Sequence, residues 1–380
     1  MAAPLDTTGR RLTDEQRIAW LQLIRSENVG PRAFRDLLNH FGGAAAALEA
    51  LPELARRGGA LLSPRVFSRQ QAEAEIAALE RLGARLVALG EPEFPVVLAA
   101  ADGAAPLIAL QGSADVLALP AVAIVGARNA SAAGRSFALR LAQDLGSRGF
   151  CVVSGLARGV DATAHEAALR TGTVACLAGG LDRIYPPENE PLLARILDHG
   201  GAAITEMPLG WEPRARDFPR RNRVIAGLSR AVVVVEAALR SGSLITARLA
   251  LEMGREVMAA PGSPLDPRCE GSNRLLRDGA TLITSADHVV EALEPILREA
   301  LPVPPEAFLS EDDDDPTAAL EHDDSARARI EELLGPSPAA VDDVVRLSGQ
   351  PVRLVLLVLL ELELAGRLER LPGNRVARKD

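Results

Sequence analysis

The chain has 380 residues, 48% hydrophobic and 24% charged, which suits two or three globular domains and excludes collagen-like, disordered and disulfide-scaffold classes. Its 42 basic residues are 41 arginines and one lysine, Lys379, next to the last residue; this removes Walker, Schiff-base and general-base lysines from any folded site. The formal charge of −9 arises from residues 310–324, which carry eight acids and no base; elsewhere 43 acids meet 42 bases, so partners are to be read from local clusters.

In chain order, residues 12–40 read as two short helices around a turn. Thr13 and Gln16 have capping-box spacing, Ile18, Leu21 and Ile24 recur three apart, and Asn28-Val29-Gly30-Pro31 breaks the pattern with Pro31 suited to a new first turn. A helix–turn–helix of this kind either packs as a small docking module or holds a nucleic-acid backbone on its hairpin amides. Helical character continues to about residue 88, which gives an N-terminal helical domain over 1–90 of the helix-hairpin-helix or SAM-like kind.

From Ala121 to about Leu297 short β-branched runs alternate with amphipathic windows. The runs are Val122–Val125, Cys151–Ser154, Val174–Leu177, Ala202–Thr205, Val232–Val235, Glu256–Ala260 and Thr281–Ile283; the windows include Gly134–Arg148, Asp161–Arg170, Glu188–His199 and Ser243–Met253. Continuous apolar strands separated by helices predict βαβ units with right-handed crossovers. The expected fold over 91–300 is α/β, an extended Rossmann-like, doubly wound sheet.

Residues 301–324 hold Pro302, Pro304, Pro305 and the acid run, and read as an extended linker. Over 325–380, helical windows at Ala326–Leu334, Val341–Leu347 and Val352–Ala365 precede two strands joined by Gly373-Asn374, the grammar of a winged helix. Its third helix has Arg353 against Glu361 and Glu363, which suits packing better than groove reading. Cys151, Cys176 and Cys269 form no CxxC or even framework, and the most apolar stretch, Leu354–Leu360, is far short of a bilayer span. No signal-peptide h-region is evident, and a cytoplasmic protein without membrane association is expected.

In an open α/β sheet, ligands sit beyond the carboxyl ends of the strands. Those ends feed small residues into helix starts: Gly126, Arg128, Ser131 and Gly134 after the first run; Ser154, Gly155, Gly159 and Asp161 after the second; Ser241, Gly242, Ser243 and Thr246 after the fifth. The first loop is not GxGxxG, so the dinucleotide fingerprint is missing. Gly and Ser are also what tight βα turns require. Their recurrence along one rim, with Arg128 among them, favours anion binding by amides and hydroxyls.

Between Met207 and Arg230 stand six arginines (Arg214, Arg216, Arg220, Arg221, Arg223, Arg230) against Glu212 and Asp217. Arginine forks suit phosphate, and Phe218 or Trp211 could stack on a base. With 11 aromatics in the chain, phosphate contacts should dominate, giving salt-dependent and largely sequence-blind binding. Asp161 and His165, four apart, could form a metal or acid–base pair, but a capping aspartate beside a packed histidine is the simpler account. Glu236 and Glu252 bracket the Ser241–Thr246 loop as conceivable carboxylate catalysts. No triad or metal cluster is seen, and neither a cofactor nor a metal is expected.

Taken together, several stretches resemble the bacterial DNA-processing protein A (DprA, or Smf) family. They are Val125-Gly126-Ala127-Arg128 with Ser131 and Gly134, Ser154-Gly155-Leu156-Ala157 with Gly159, Asp161 and His165, and Ile184-Tyr185-Pro186 with Asn189. Phe218-Pro219-Arg220-Arg221-Asn222-Arg223, Glu236 with Ser241–Ala247, and Pro261-Gly262 with Gly271 complete the set. The resemblance covers about residues 95–295, and Ala132-Ala133 departs from it where the family pattern carries an aromatic. It implies a non-enzymatic, homodimeric protein that binds single-stranded DNA, protects it and loads RecA recombinase during natural transformation, competence and homologous recombination. It further implies phosphate contacts from the Gly126–Gly134 loop, and strand binding by Phe218, Arg220, Arg221, Asn222 and Arg223 and by the Ser241–Thr246 rim. The alternative is a nucleotide-processing enzyme of the Rossmann-type phosphoribohydrolase kind, with Glu236 or Glu252 as catalyst; the absence of its glycine-rich acid motif weighs against it.

Overall fold

The computed structural model describes residues 11–101, 103–298, 324–371 and 373–379; the stretch read as a linker, 301–324, lies outside them except for Asp324. The chain divides into two units, Met1–Arg11 with Glu75–Pro305, and Leu12–Ala74 with Glu306–Asp380.

Helices α1 (Asp14–Arg25), α2 (Pro31–Phe41), α3 (Ala44–Arg57) and α4 (Arg69–Arg81) come first. The capping box at α1 is formed, with Gln16 N donating to Thr13 Oγ1 at 3.2 Å and Thr13 N to Gln16 Oε1 at 3.0 Å. Pro31 opens α2, which closes at the left-handed Gly42. The buried face of α1 is Trp20, Leu21 and Leu23, whereas Ile18 and Ile24 are only half-buried. Trp20 meets Phe34 of α2 edge to face at 5.0 Å, and this contact turns the helix towards its tryptophan.

The sheet begins earlier in the chain than the βαβ pattern, at β1 (Ala84–Ala88). It continues through α5 (Val96–Ala99), β2 (Leu107–Gly112), β3 (Ala121–Gly126), α6 (Ala132–Ser147), β4 (Cys151–Ser154), α7 (Val160–Ala168), β5 (Thr173–Cys176), α8 (Glu190–Asp198) and β6 (Ala202–Thr205). Then follow α9 (Asp217–Leu228), β7 (Ala231–Val235), α10 (Gly242–Glu252), β8 (Glu256–Ala259), α11 (Glu270–Arg277), β9 (Thr281–Leu282) and α12 (Ala286–Arg298). The strand order is β1-β2-β6-β5-β4-β3-β7-β8-β9. From β6 to β9 neighbours are parallel; β2 pairs antiparallel with β6, and β1 with β2. The direction of winding reverses between β3 and β7, so the switch-point crevice opens there. Val122, Ile124, Val152 and Val233 bury one sheet face under Ala138, Leu141 and Leu145 of α6, Ala164 of α7 and Val289 of α12.

The second unit is completed by α13 (Asp324–Glu332), β10 (Ala339–Ala340), α14 (Val341–Ser348), α15 (Val352–Leu364), β11 (Leu368–Leu371) and β12 (Arg375–Arg378). The Gly373-Asn374 turn has φ of 76° and 54°, as a tight two-residue hairpin requires, and a short third strand, β10, pairs with β12. Val355, Val358, Leu359 and Leu362 of α15 fill the winged-helix core. Its other side is buried too, at Leu357, Leu360, Glu361 and Leu364, and packs on α2 and α3. Asn28 Nδ2 donates to Leu364 O at 3.0 Å, Arg367 Nη1 to Gly58 O at 3.1 Å, and Arg370 bridges Asp36 (2.8 Å) and Glu363 (2.6 Å). The helix that would read a groove is thus consumed by packing, as its Leu/Val composition suggests.

Candidate nucleic-acid interface

At the carboxyl ends of β3, β4 and β7 the loops expected to bind anions lie side by side. Ser131 caps α6, its Oγ accepting from Gly134 N at 2.9 Å. Ser154 is fully buried and its hydroxyl donates to Ile124 O at 2.7 Å, so it ties β4 to β3 and faces no solvent. Gly159, with φ 74°, brings its α-carbon against the Ala127 and Arg128 carbonyls, where a Cβ would lie 2.3 Å from Ala127 O. Glycine is required there on both counts. Asp161 is buried and accepts from Gly155 N (3.1 Å) and Ala157 N (3.4 Å). His165 is fully buried, with Nδ1 2.7 Å from Thr173 Oγ1. The N-cap of α7 is Gly159, with no side-chain cap bond, so Asp161 is not the expected cap: from the first turn of the helix it braces the preceding loop, and His165 is a packed ring. Among the described residues no group of three or more His, Cys, Asp or Glu could hold a metal.

The arginine-rich run Phe218–Arg223 lies on α9, which sorts its charges by helical position. Arg220 is exposed, as are Arg214 and Arg216 before it. Arg221 is buried: its Nη1 donates to Gly155 O and to Cys176 O (3.3 Å), and its Nε to Asn222 Oδ1 (3.2 Å). Burial lowers the pKa of the Arg221 guanidinium and raises that of the Asp161 carboxyl, while the attraction between the two opposes both shifts. The same burial, with Arg221 adding repulsion, pushes His165 down to about 3, and burial lifts the Cys176 thiol to about 12. Arg223 pairs with Glu206 at 2.8 Å, and Arg230 precedes β7, at the opposite end of the strand from the rim. Six arginines in sequence thus become three exposed on or before α9, one buried clamp, one ion pair and one outlier.

Phe218 joins the separate loops. Its half-buried ring has the guanidinium carbons of Arg128 and Arg221 at 5.7 and 5.8 Å from its centroid, within cation–π range. Tyr185, 48% exposed, meets it edge to face at 5.5 Å. Four residues after Phe218, Asn222 Nδ2 donates to Gly242 O at 3.2 Å and ties α9 to the start of α10. There Ser241 Oγ accepts from Ser243 N (3.3 Å) and lies 2.7 Å from Ser243 Oγ. Gly242 is exposed, whereas Ser243 and Thr246 are buried. Arg128, Phe218, Arg220 and the start of α10 therefore form one connected surface. Arg128 and Arg220 are exposed and form no ion pair among the described residues, and they are suited to phosphate. Trp211 is held by Nε1 donating to Asp217 Oδ2 at 2.9 Å, with Arg214 over its ring at 4.9 Å. The sequence marks Tyr185 only through its Ile184-Tyr185-Pro186 motif and carries no signal of its exposure beside Phe218.

Glu236 and Glu252 part company. Glu252, partly exposed at the end of α10, lies near Arg248. Glu236 is buried, has φ 54°, and binds Ser131 through N (2.8 Å) and through Oγ.

Residues 85–294 match the family model described as DNA recombination-mediator protein A. Residues 14–78 match a DprA-like N-terminal HHH domain, and residues 314–374 a DprA winged helix domain. Protein Smf of Escherichia coli is 40% identical over 315 residues, 82% of each chain. DNA processing protein DprA of Streptococcus pneumoniae is 42% identical over 204 residues, 53% of this chain and 71% of that one. The solved structure of the pneumococcal protein aligns with a TM-score of 0.62 at 32% identity, over 74% of this chain and 98% of that one. A structure described for its single-stranded DNA binding mode, DNA processing protein A of Helicobacter pylori, aligns with a TM-score of 0.51 at 27% identity, over 56% of this chain and 96% of that one.

Proposed function

The chain belongs to the DNA recombination-mediator protein A family, and from that premise we propose that it binds single-stranded DNA along the carboxyl-end rim of its sheet. Its role is in DNA processing. The observation that carries the binding surface is the continuity of exposed Arg128 and Arg220, the Phe218 and Tyr185 rings, and the neutral start of α10. Exposed guanidiniums contact phosphodiesters, the exposed Gly242 amide and the Ser241 hydroxyl add donors, and Tyr185 offers a face to one unstacked base. Gly126, Ser131, Gly134, Ser154, Gly155, Gly159, Arg221, Asn222, Arg223 and Thr246 shape the rim in this reading and hold the contacting groups in place.

The reading extends to protection of incoming strands, RecA loading during transformation, a homodimer, and a cytoplasmic setting. Among the described residues no helix is long and apolar enough to cross a membrane. The division into 1–90, 91–300, 301–324 and 325–380 belongs to the same proposal. So does the absence of a catalysed reaction, supported by Glu236 being engaged with Ser131 and by His165 being buried and neutral. The test is fluorescence anisotropy of a labelled single-stranded oligonucleotide through a salt titration, with duplex competitor and an Arg128→Ala, Arg220→Ala double variant. Binding should prefer single strands and weaken with salt, and the double variant should lower the slope of log K against log salt by about 1–2. A folded protein that ignores the oligonucleotide at low salt would refute the reading.

A further inference from the structure

The starts of the rim helices, where a Rossmann-type fold would cradle a nucleotide phosphate, are largely taken by the protein's own carboxylates. Glu236 holds Ser131 N and Oγ at the start of α6. Asp161 holds the Gly155 and Ala157 amides before α7, Asp217 the Arg214 amide before α9, and Asp182 the Gly210 amide after β6. The start of α10 differs, with the hydroxyl of Ser241 on Ser243 N.

Glu236 occupies the most telling position. It follows β7 directly, so it stands in the switch-point crevice between β3 and β7. The α-carbon of Gly134 approaches it so closely that a Cβ would lie 2.5 Å from its carboxyl carbon, which leaves no space for a phosphoryl group. The left-handed backbone of Glu236 is strained in a non-glycine residue and persists only where the surroundings demand it.

We propose that Glu236 determines the ligand class of the rim: its carboxylate closes the α6 cradle to the phosphate of a free mononucleotide and leaves the outer surface to the diesters of a strand. Charge and space act together here. A phosphate entering the crevice would meet both a fixed negative charge and a filled cavity, whereas a strand gripped by Arg128, Arg220 and the start of α10 need not enter it. This rests on the single-strand reading above and adds what the same rim refuses.

The test uses the full chain, with inorganic phosphate and adenosine monophosphate as probes at matched ionic strength, read by thermal shift and by titration. Wild type should melt at the same temperature in phosphate as in chloride. Glu236→Gly, which removes the carboxylate and relieves the backbone, should be stabilised by either probe and bind adenosine monophosphate at least roughly tenfold tighter than wild type. Glu236→Ala supplies the same comparison should the glycine variant not fold. A folded variant indifferent to both probes, or a wild type that binds them equally well, overturns the proposal. Oligonucleotide affinity is measured alongside; its absence in wild type would defeat the strand reading while leaving the phosphate comparison interpretable.

Discussion

Arg221 and Arg220 are neighbours in sequence and opposites in role. Arg221 sits under the rim on the carbonyls of Gly155 and Cys176, where its charge compensates Asp161. Arg221→Ala should therefore cost roughly 3 kcal/mol of stability, seen in a denaturant titration, because it strands a buried carboxylate and two carbonyls. Arg220→Ala should leave the unfolding midpoint within about 0.5 kcal/mol of wild type. His165 carries a pH prediction. Its pKa is about 3 in the fold and about 6.5 in the unfolded chain, so the unfolded state takes up the proton first as pH falls. Its contribution is complete above about pH 6.5 and is lost progressively from there towards 3. The raised carboxyl of Asp161 works in the opposite sense, its burial penalty easing as it protonates on acidification. A comparison with His165→Gln isolates the ring: the stability gap between wild type and variant should narrow by about 2 kcal/mol between pH 6.5 and 5.

At the scale of elements, the legible parts were those whose pattern has a local cause. Continuous β-branched runs announced β3 to β8 to within a residue or so at each end, and Thr13, Pro31 and Gly373-Asn374 marked turns through their own backbone chemistry. β1 (ARLVA) and β2 (LIALQG) were missed because Ala and Leu carry no strand signal and their antiparallel pairing to β6 is not a βαβ unit. α9 hid behind Pro219 and its arginines, so a charge cluster was legible while its division into exposed and buried faces was not. The cap formed by Glu236 was invisible for a different reason: it lies 105 residues from Ser131, and only the sheet order brings the two together. The docking of α15 on α3 is equally non-local, and Gly58 is a point of close approach, since a Cβ there would fall 1.9 Å from Glu361 O. Gly58→Ala should force the two apart at a cost of about 1–3 kcal/mol. Faster limited proteolysis within 325–380, with the sheet domain unaffected, is the expected signature.

For the whole molecule, charge is distributed so that the acids of 310–324 are offered in the same chain as an exposed arginine surface. If those acids compete for that surface, deleting 310–324 should tighten oligonucleotide binding at low salt and have little effect near 0.5 M, where the Debye length falls to a few ångströms. Equal affinity at both salt concentrations would dismiss the competition.

The unit that joins Leu12–Ala74 to the winged helix also sets an order of events. Its first segment leaves the ribosome well before the surface that covers α2 and α3, which is synthesised roughly 300 residues later. At about 5–20 residues per second, that interval is about 15–60 s. For that time the faces of α2 and α3 awaiting α15 stay uncovered while the sheet domain is being completed between them. A premature stop near residue 325 would make the exposure permanent, so a truncation after the sheet domain would be felt in the helices that precede it.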